Sequence, residues 1–200
     1  LAVETVVIGD GDSSNNNLKG SFRINRADDI PTKLNTFEDF LVDYWLTYNE
    51  GSTSNLWVIG SPNKTKLNAV ASGTSAYVTK KIANYPNDTK AYLISPCYNL
   101  TTLNNPMMKF SMAYELQENF DIIYVEYSTD LINRNLLGSS TDPNWYSSNR
   151  IFESGEISND CQNCPGGQWT GSNSVLTKYS YDLSAFRSES NINFRFVFHS

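Results

Sequence analysis

The chain has 200 residues, with 15 basic and 21 acidic side chains, a net charge of −6 and no basic cluster, which disfavours nucleic acid and anionic membrane as partners. That length suits one sizeable domain with a real core, and no apolar run approaches membrane-spanning length. Abundant Asn, Ser, Thr and Tyr with a single His, at 199, fit a β-rich surface or secreted protein better than a metabolic enzyme.

Leu1 opens directly in a strand-like stretch without the regions of a signal peptide, so a processed protein or an internal segment of a longer one is expected. Residues 1–25 offer two short strands, Glu4–Ile8 and Phe22–Asn25, and 1–30 could be the end of a preceding domain, with the main domain over 31–200. Between the strands, Asp10, Asp12, Ser14 and Asn16 lie at alternate positions with Gly11 between the carboxylates. Such oxygen-rich spacing can wrap Ca²⁺, although the bidentate Glu of a full calcium loop is missing, which favours a solvated loop.

Over 36–51, Phe37, Phe40, Leu41, Tyr44, Trp45 and Tyr48 fall at helical spacing, and Thr36 with Asp39 resembles a capping box. Strands are then predicted at NLWVIG, AYVTKKI and AYLISP, the last stopped by Pro96. From Met108 to Leu116 the apolar residues alternate, and a second alternation follows over 122–128. Together they predict an antiparallel hairpin turning at Gln117–Phe120, with Glu126 opposite Ser111 and diagonal to Lys109.

The stretch 131–174 is polar and punctuated by Gly and Pro, with apolar islands at Leu136-Leu137 and Ile151-Phe152. KYSYDLSAF alternates again, and the closing NINFRFVFHS sets Ile192, Phe194, Phe196 and Phe198 on one face. A strand this apolar calls for a partner, so residues beyond Ser200 are expected to complete the fold. Strands at this frequency, with Gly, Pro and Asn between them, indicate an all-β, two-sheet sandwich.

Several segments, in order, carry a family resemblance: TFEDF at 36–40, LWVIGSP at 56–62, ASGTSAYVT at 71–79, YLISPCYNLTTLNNPMMKF at 92–110 and FDIIYVEYSTD at 120–130. LLGSSTDPNWY at 136–146, PGGQWTG at 165–171, YDLSAF and INFRFVFHS continue it. The chain resembles the MAM-like jelly-roll modules of large cell-surface and secreted proteins in Bacteroidetes, many of them cargo of the type IX secretion machinery. The resemblance implies an antiparallel jelly-roll sandwich, an extracellular or cell-surface location and a non-catalytic adhesive or accessory role. It places a strand at Phe37-Glu38, where periodicity alone indicates a helix, and leaves a helical turn after it. It also implies a structural Ca²⁺, with Glu38 and Asp121 as the matching ligands. The loop STDLINRNLLG departs from the family, which usually has a Gly-rich turn and a Trp after STD.

Cys161-Gln-Asn-Cys164 admits a zinc half-site, a redox pair or a small disulfide loop. Zinc would need both Cys97 and His199, and a redox motif would open a helix rather than lead into PGGQ. An oxidised Cys161–Cys164 bridge in an extracellular setting is therefore the expected state. Glu115 and Glu126 invite a glycosidase reading, but the predicted register sets them about 13 Å apart, beyond the roughly 9.5 Å limit of an inverting pair. His199 falls at the polar phase of the last strand and is expected to be exposed or at an edge. Trp57 is expected in the core. Trp145, Tyr146 and Trp169 sit in polar loops and are the expected surface aromatics for a ligand. The expected partners are thus a glycan or protein on a surface, or neighbouring domains of one long chain. The alternative is an accessory domain of a secreted protease or glycoside hydrolase.

Overall fold

Phe194, Phe196 and Phe198 alternate with Asn193, Arg195 and Val197, and this period of two decides the layering. The computed structural model describes residues 2–4, 17–19, 31–39, 45–50, 55–151, 161 and 163–200. Its strands are β1 (Ala2–Glu4), β2 (Asn17–Lys19), β3 (Leu46–Asn49), β4 (Trp57–Gly60), β5 (Ala76–Thr79) and β6 (Lys90–Ile94). They continue with β7 (Met107–Glu115), β8 (Ile122–Ser128), β9 (Asn135–Leu136), β10 (Ser172–Asp182) and β11 (Asn193–His199), and a short 3-10 turn, Ser184–Phe186, precedes β11. Every pairing is antiparallel, and the chain folds as an all-β sandwich.

One layer is a five-stranded sheet in the order β3-β6-β11-β8-β9. Its inner face carries Phe194, Phe196 and Phe198 with Ile123, Val125, Ala91 and Leu93, all buried. β7 and β10 form the ribbon opposite, where the Phe110 ring meets Phe196 edge-on at 4.9 Å and stacks against Tyr179 at 5.6 Å. β4 and β5 form a second ribbon, with Trp57 in the core as expected.

The predicted β7–β8 hairpin does not form. β7 pairs with β10, whereas β8 lies between β11 and β9 in the other layer. The chain crosses layers at Gln117–Asp121, because the backbone donors at its two ends find other partners: Leu116 N–H donates to Gly171 O (2.8 Å) and Ile123 N–H to Trp169 O (2.9 Å). Glu126 accordingly faces Arg195 and not Ser111 or Lys109.

Both readings of 36–51 also need correction where it is described. Trp45 lies in irregular backbone, Leu46–Asn49 is a strand, and Phe37 and Glu38 lie in irregular backbone with Phe37 at φ 59°. The helical turn allowed after them falls on 40–44, outside the described residues. At the N-terminus Ala2–Glu4 pairs with Asn17–Lys19, inside the predicted loop, while 5–8 and 22–25 lie outside the described residues.

Candidate functional site: a tyrosine and ion-pair face

The outer face of the five-stranded sheet follows from register. Leu46 and Tyr48 of β3 lie opposite Ile94 and Tyr92 of β6. Tyr92 lies opposite Val197 of β11, and Val197 opposite Tyr124 of β8. One strand-step away the row reads Ile94, Arg195 and Glu126, and on the other side Lys90, His199 and Ile122. Alternation therefore gathers three tyrosines, two cations and two carboxylates, counting Glu50 just after β3, on one surface.

Tyr48 is 56% exposed, and its ring stacks on Tyr92 at 5.9 Å with planes 13° apart. Tyr92, by contrast, is 4% exposed and fixed on three sides. Its hydroxyl donates to Glu50 Oε1, the Arg195 guanidinium sits 4.3 Å over its ring, and Lys90 Nζ lies 5.7 Å from the ring centre. Arg195 Nε in turn donates to Glu126 Oε2, and Lys90 Nζ sits 3.5 Å from Glu50 Oε1.

The titration behaviour agrees with this packing. The Tyr92 hydroxyl holds the Glu50 carboxyl below its ordinary range, with the Lys90 charge adding to the effect. Burial raises the Tyr92 phenol, helped by its bond to Glu50. Tyr124 is pushed up to about 12, by burial first and then by Glu126. The Tyr92 and Tyr124 phenols stay neutral at physiological pH. A rigid aromatic shelf with fixed donors and acceptors around it can stack a ring and hydrogen-bond its substituents.

His199 is half-buried in the central strand β11, not exposed or at an edge, and its Nδ1 is buried without a hydrogen-bond partner among the described residues. Burial first, and then the Lys90 charge, push its pKa below the usual value. The unfolded chain therefore takes up the proton more readily than the folded one, and stability falls as pH drops through the unfolded value of about 6.5. The expected result is a Tm that declines between about pH 7 and pH 5.5, with the decline flattened in His199→Gln. Thermal unfolding across that window checks it, and a flat wild-type profile would rule it out. The depressed carboxyls, Glu50 among them, act only at lower pH, below about 4.5.

The aromatics expected at the surface are core residues. Trp145, Tyr146 and Trp169 are 3%, 6% and 0% exposed and pack with Phe110, Tyr179 and Tyr181 between the layers. Their polar atoms are satisfied by backbone. Trp145 Nε1 donates to Leu137 O (2.9 Å) and Trp169 Nε1 to Trp145 O (2.8 Å), while the Tyr146 hydroxyl accepts from Val125 N (2.9 Å) and donates to Val125 O (3.2 Å). Gly138, at φ 77°, lets the loop lie flush on this cluster, since a Cβ there would fall 2.5 Å from Tyr181 and 2.8 Å from Trp145 Nε1.

The two carboxylates matched to a calcium site are each bonded by different protein donors. Glu38 accepts from Thr74 N, Thr74 Oγ1 and Ser75 N, capping the 73–75 loop. Buried Asp121 accepts from the Tyr85 hydroxyl and from Gln117 N. Among the described residues no three His, Cys, Asp or Glu side chains group closely enough to hold a metal ion. Asp10 and Asp12 lie outside the described residues.

Cys161 and Cys164 form a disulfide with Cα atoms 5.4 Å apart, and Cys97 is a buried free thiol. Glu115 pairs with Lys66 at the end of β7, in the layer away from Glu126, so the two carboxylates share no cleft. Glu50 and Glu126 do share a face.

No protein-family model and no curated protein matches the chain. Among solved structures, it is similar to the K2 cleaved adhesin domain of Lys-gingipain, at 16% identity and TM-score 0.47, over 82% of this chain and 87% of that one. It is also similar to the K1 cleaved adhesin domain of Lys-gingipain from Porphyromonas gingivalis, at 12% identity and TM-score 0.46, over 83% and 86% respectively.

Proposed function

We propose that this chain is a non-catalytic binding module that recognises a glycan, or a glycan-bearing surface, through the outer face of its five-stranded sheet. The observation that carries the reading is the exposed Tyr48 ring laid on a Tyr92 that Glu50 and Arg195 hold in place. Preorganised aromatic surface costs little entropy on binding, and a sheet holds it more rigidly than a loop. The recognition element is thus a sheet face, in place of the loop aromatics expected from sequence. An extracellular setting, as a module of a longer exported chain handled by a secretion machinery, is supported by the disulfide and by the sequence resemblance. No helix among the described residues is long and apolar enough to cross a membrane.

Tyr48→Ala tests the reading. Because Tyr48 is exposed, the substitution is expected to leave the Tm within a few degrees of wild type. It should also remove most binding on an array of bacterial and host polysaccharides, while Tyr48→Phe retains it. Unchanged array binding by a folded Tyr48→Ala would refute the assignment of this face. An accessory role beside a separate hydrolase domain uses the same face and differs only in what else the full chain encodes.

A further inference from the structure

Arg134 is not needed for the platform just described, yet it is built into the same surface. It follows the turn between β8 and β9, which the Asp130 carboxylate closes by accepting from Ser128 Oγ (3.0 Å), Ile132 N (2.9 Å), Asn133 N (2.8 Å) and Asn133 Nδ2 (2.6 Å). Leu131 sits in the left-handed region at φ 64°, uncommon for a bulky side chain, and the chain doubles back sharply there. This turn delivers Arg134 against β11, where its Nη1 donates to Asn193 Oδ1 at 2.7 Å. Asn193, Ser128 and Cys97 around it are each 1% exposed.

The charges there balance in number, two cations against the carboxylates of Glu126 and Asp130, but not in contact. Arg134 is half-buried, and Arg195 is the cation that bears on it most. The Glu126 carboxylate nearby is already engaged by Arg195, and that of Asp130 by the turn. Among the described residues no carboxylate comes within ion-pair distance of Arg134, whose one bonded side-chain partner is a neutral amide. Removing a guanidinium from water costs free energy that a neutral amide only partly offsets, and its other donors are arranged for a planar acceptor.

Register gives the spacing. Asn193 is four residues along β11 from Val197, which shares a row with Tyr48 two strands away. At ordinary strand rise and spacing this sets the Tyr48 and Asn193 backbones about 16 Å apart. That span exceeds one sugar ring and suits a short oligosaccharide, with Tyr92 and Arg195 lying between its ends.

Resting on the reading of this face as a glycan platform, we infer that its ligand is acidic: one sugar ring stacks on Tyr48 while a uronate carboxylate further along the chain accepts the free N–H edge of Arg134. No bond is made or broken. The carboxylate replaces water on a half-buried cation and is held by charge-assisted hydrogen bonds.

The test is calorimetry of the intact chain with hexamers of uronic acids (galacturonate, mannuronate and glucuronate-containing chains) and with neutral cello- and chitohexaose. The acidic hexamers are expected to bind more tightly than the neutral ones and to weaken at about 0.5 M salt, where surface charges are screened. Arg134→Gln should lower their affinity about tenfold, the size of one charge-assisted bond, and leave Tm and neutral-sugar binding unchanged. If Arg134→Gln fails to fold, Arg134→Lys keeps the charge, loses the planar fork and is expected to bind more weakly than wild type. Equal binding of acidic and neutral hexamers, or no effect of either Arg134 variant, would overturn the inference. The platform itself would still stand if Tyr48→Ala abolished that binding. Failure of every uronate hexamer to bind overturns the inference outright.

Discussion

Trp169→Ala is expected to lower the unfolding free energy by about 3–5 kcal/mol, the range for truncating a buried large aromatic. Trp169 is wholly buried, and four rings surround it: Phe110 at 5.8 Å, Trp145 at 5.2 Å, Tyr146 at 4.6 Å and Tyr179 at 5.2 Å. These rings come from β7, β10 and the long loop before β10, so they cannot collapse together into the hole without moving the layers. The substitution also removes the Nε1 donor to Trp145 O, leaving a buried carbonyl unpaired. Against a typical total of about 5–15 kcal/mol, this loss unfolds a large share of molecules near body temperature. Urea unfolding followed by circular dichroism gives the number, and Trp169→Phe, which keeps one ring in the site, should lose roughly half as much. A loss below about 1 kcal/mol would show that the aromatic cluster is not the keystone between the layers.

The second large effect is expected at the Arg195–Glu126 pair. Their side chains are 23% and 16% exposed, so each charge is largely removed from water and answered mainly by the other. Breaking such a pair from one side leaves a charge without its counterion, which costs about 3–5 kcal/mol when fully buried, and about 1–3 kcal/mol after allowing for this exposure. Arg195→Leu should be the worse single change, because it also takes the guanidinium off the Tyr92 ring. The double variant Arg195→Leu with Glu126→Leu is expected to recover most of the loss, since two apolar side chains leave no unmatched charge. A double-mutant cycle on unfolding free energies reads the coupling directly, and additive losses would mean that the two side chains act independently.

The strands were legible because period-two alternation is a local property. The alternating Phe residues of β11 and the Met108-to-Leu116 run of β7 each declare an inner face without help from the rest of the chain. What a strand pairs with is not local. β7 and β8 adjoin in sequence with a turn-like stretch between them, yet Gly171 and Trp169 offer their carbonyls to Leu116 and Ile123, and a partner about 50 residues away wins over the neighbour.

The same limit hid the candidate site. Tyr48 reads as part of a helical pattern, Glu126 reads as diagonal to Lys109, and nothing local singles out Arg195. Only the order β3-β6-β11-β8 brings them to one face. Trp145, Tyr146 and Trp169 misled in the opposite sense. Polar neighbours marked them as exposed, but each carries a polar atom that a backbone group satisfies, so a polar loop can bury an aromatic at no hydrogen-bond cost. Gln168 was missed for a similar reason. It is fully buried, with its amide bonded to Ser148 Oγ and Arg150 O, and nothing in its local sequence marks it as a core residue.

The place of β11 in the middle of its sheet bears on how the protein is made. β11 follows every other described strand in the chain, yet it separates β6 from β8, and Phe194 donates to Ser95 Oγ across 99 residues. A ribosome adding about 5–20 residues per second therefore finishes β6 some 5–20 s before β11 exists to cover it. Throughout that interval β6, and in its later part β8 as well, presents an open edge and an uncovered apolar face, the features that recruit other chains. Assembly of the sheet is thus a late, all-at-once event, and the growing polypeptide must be sheltered until its central strand arrives.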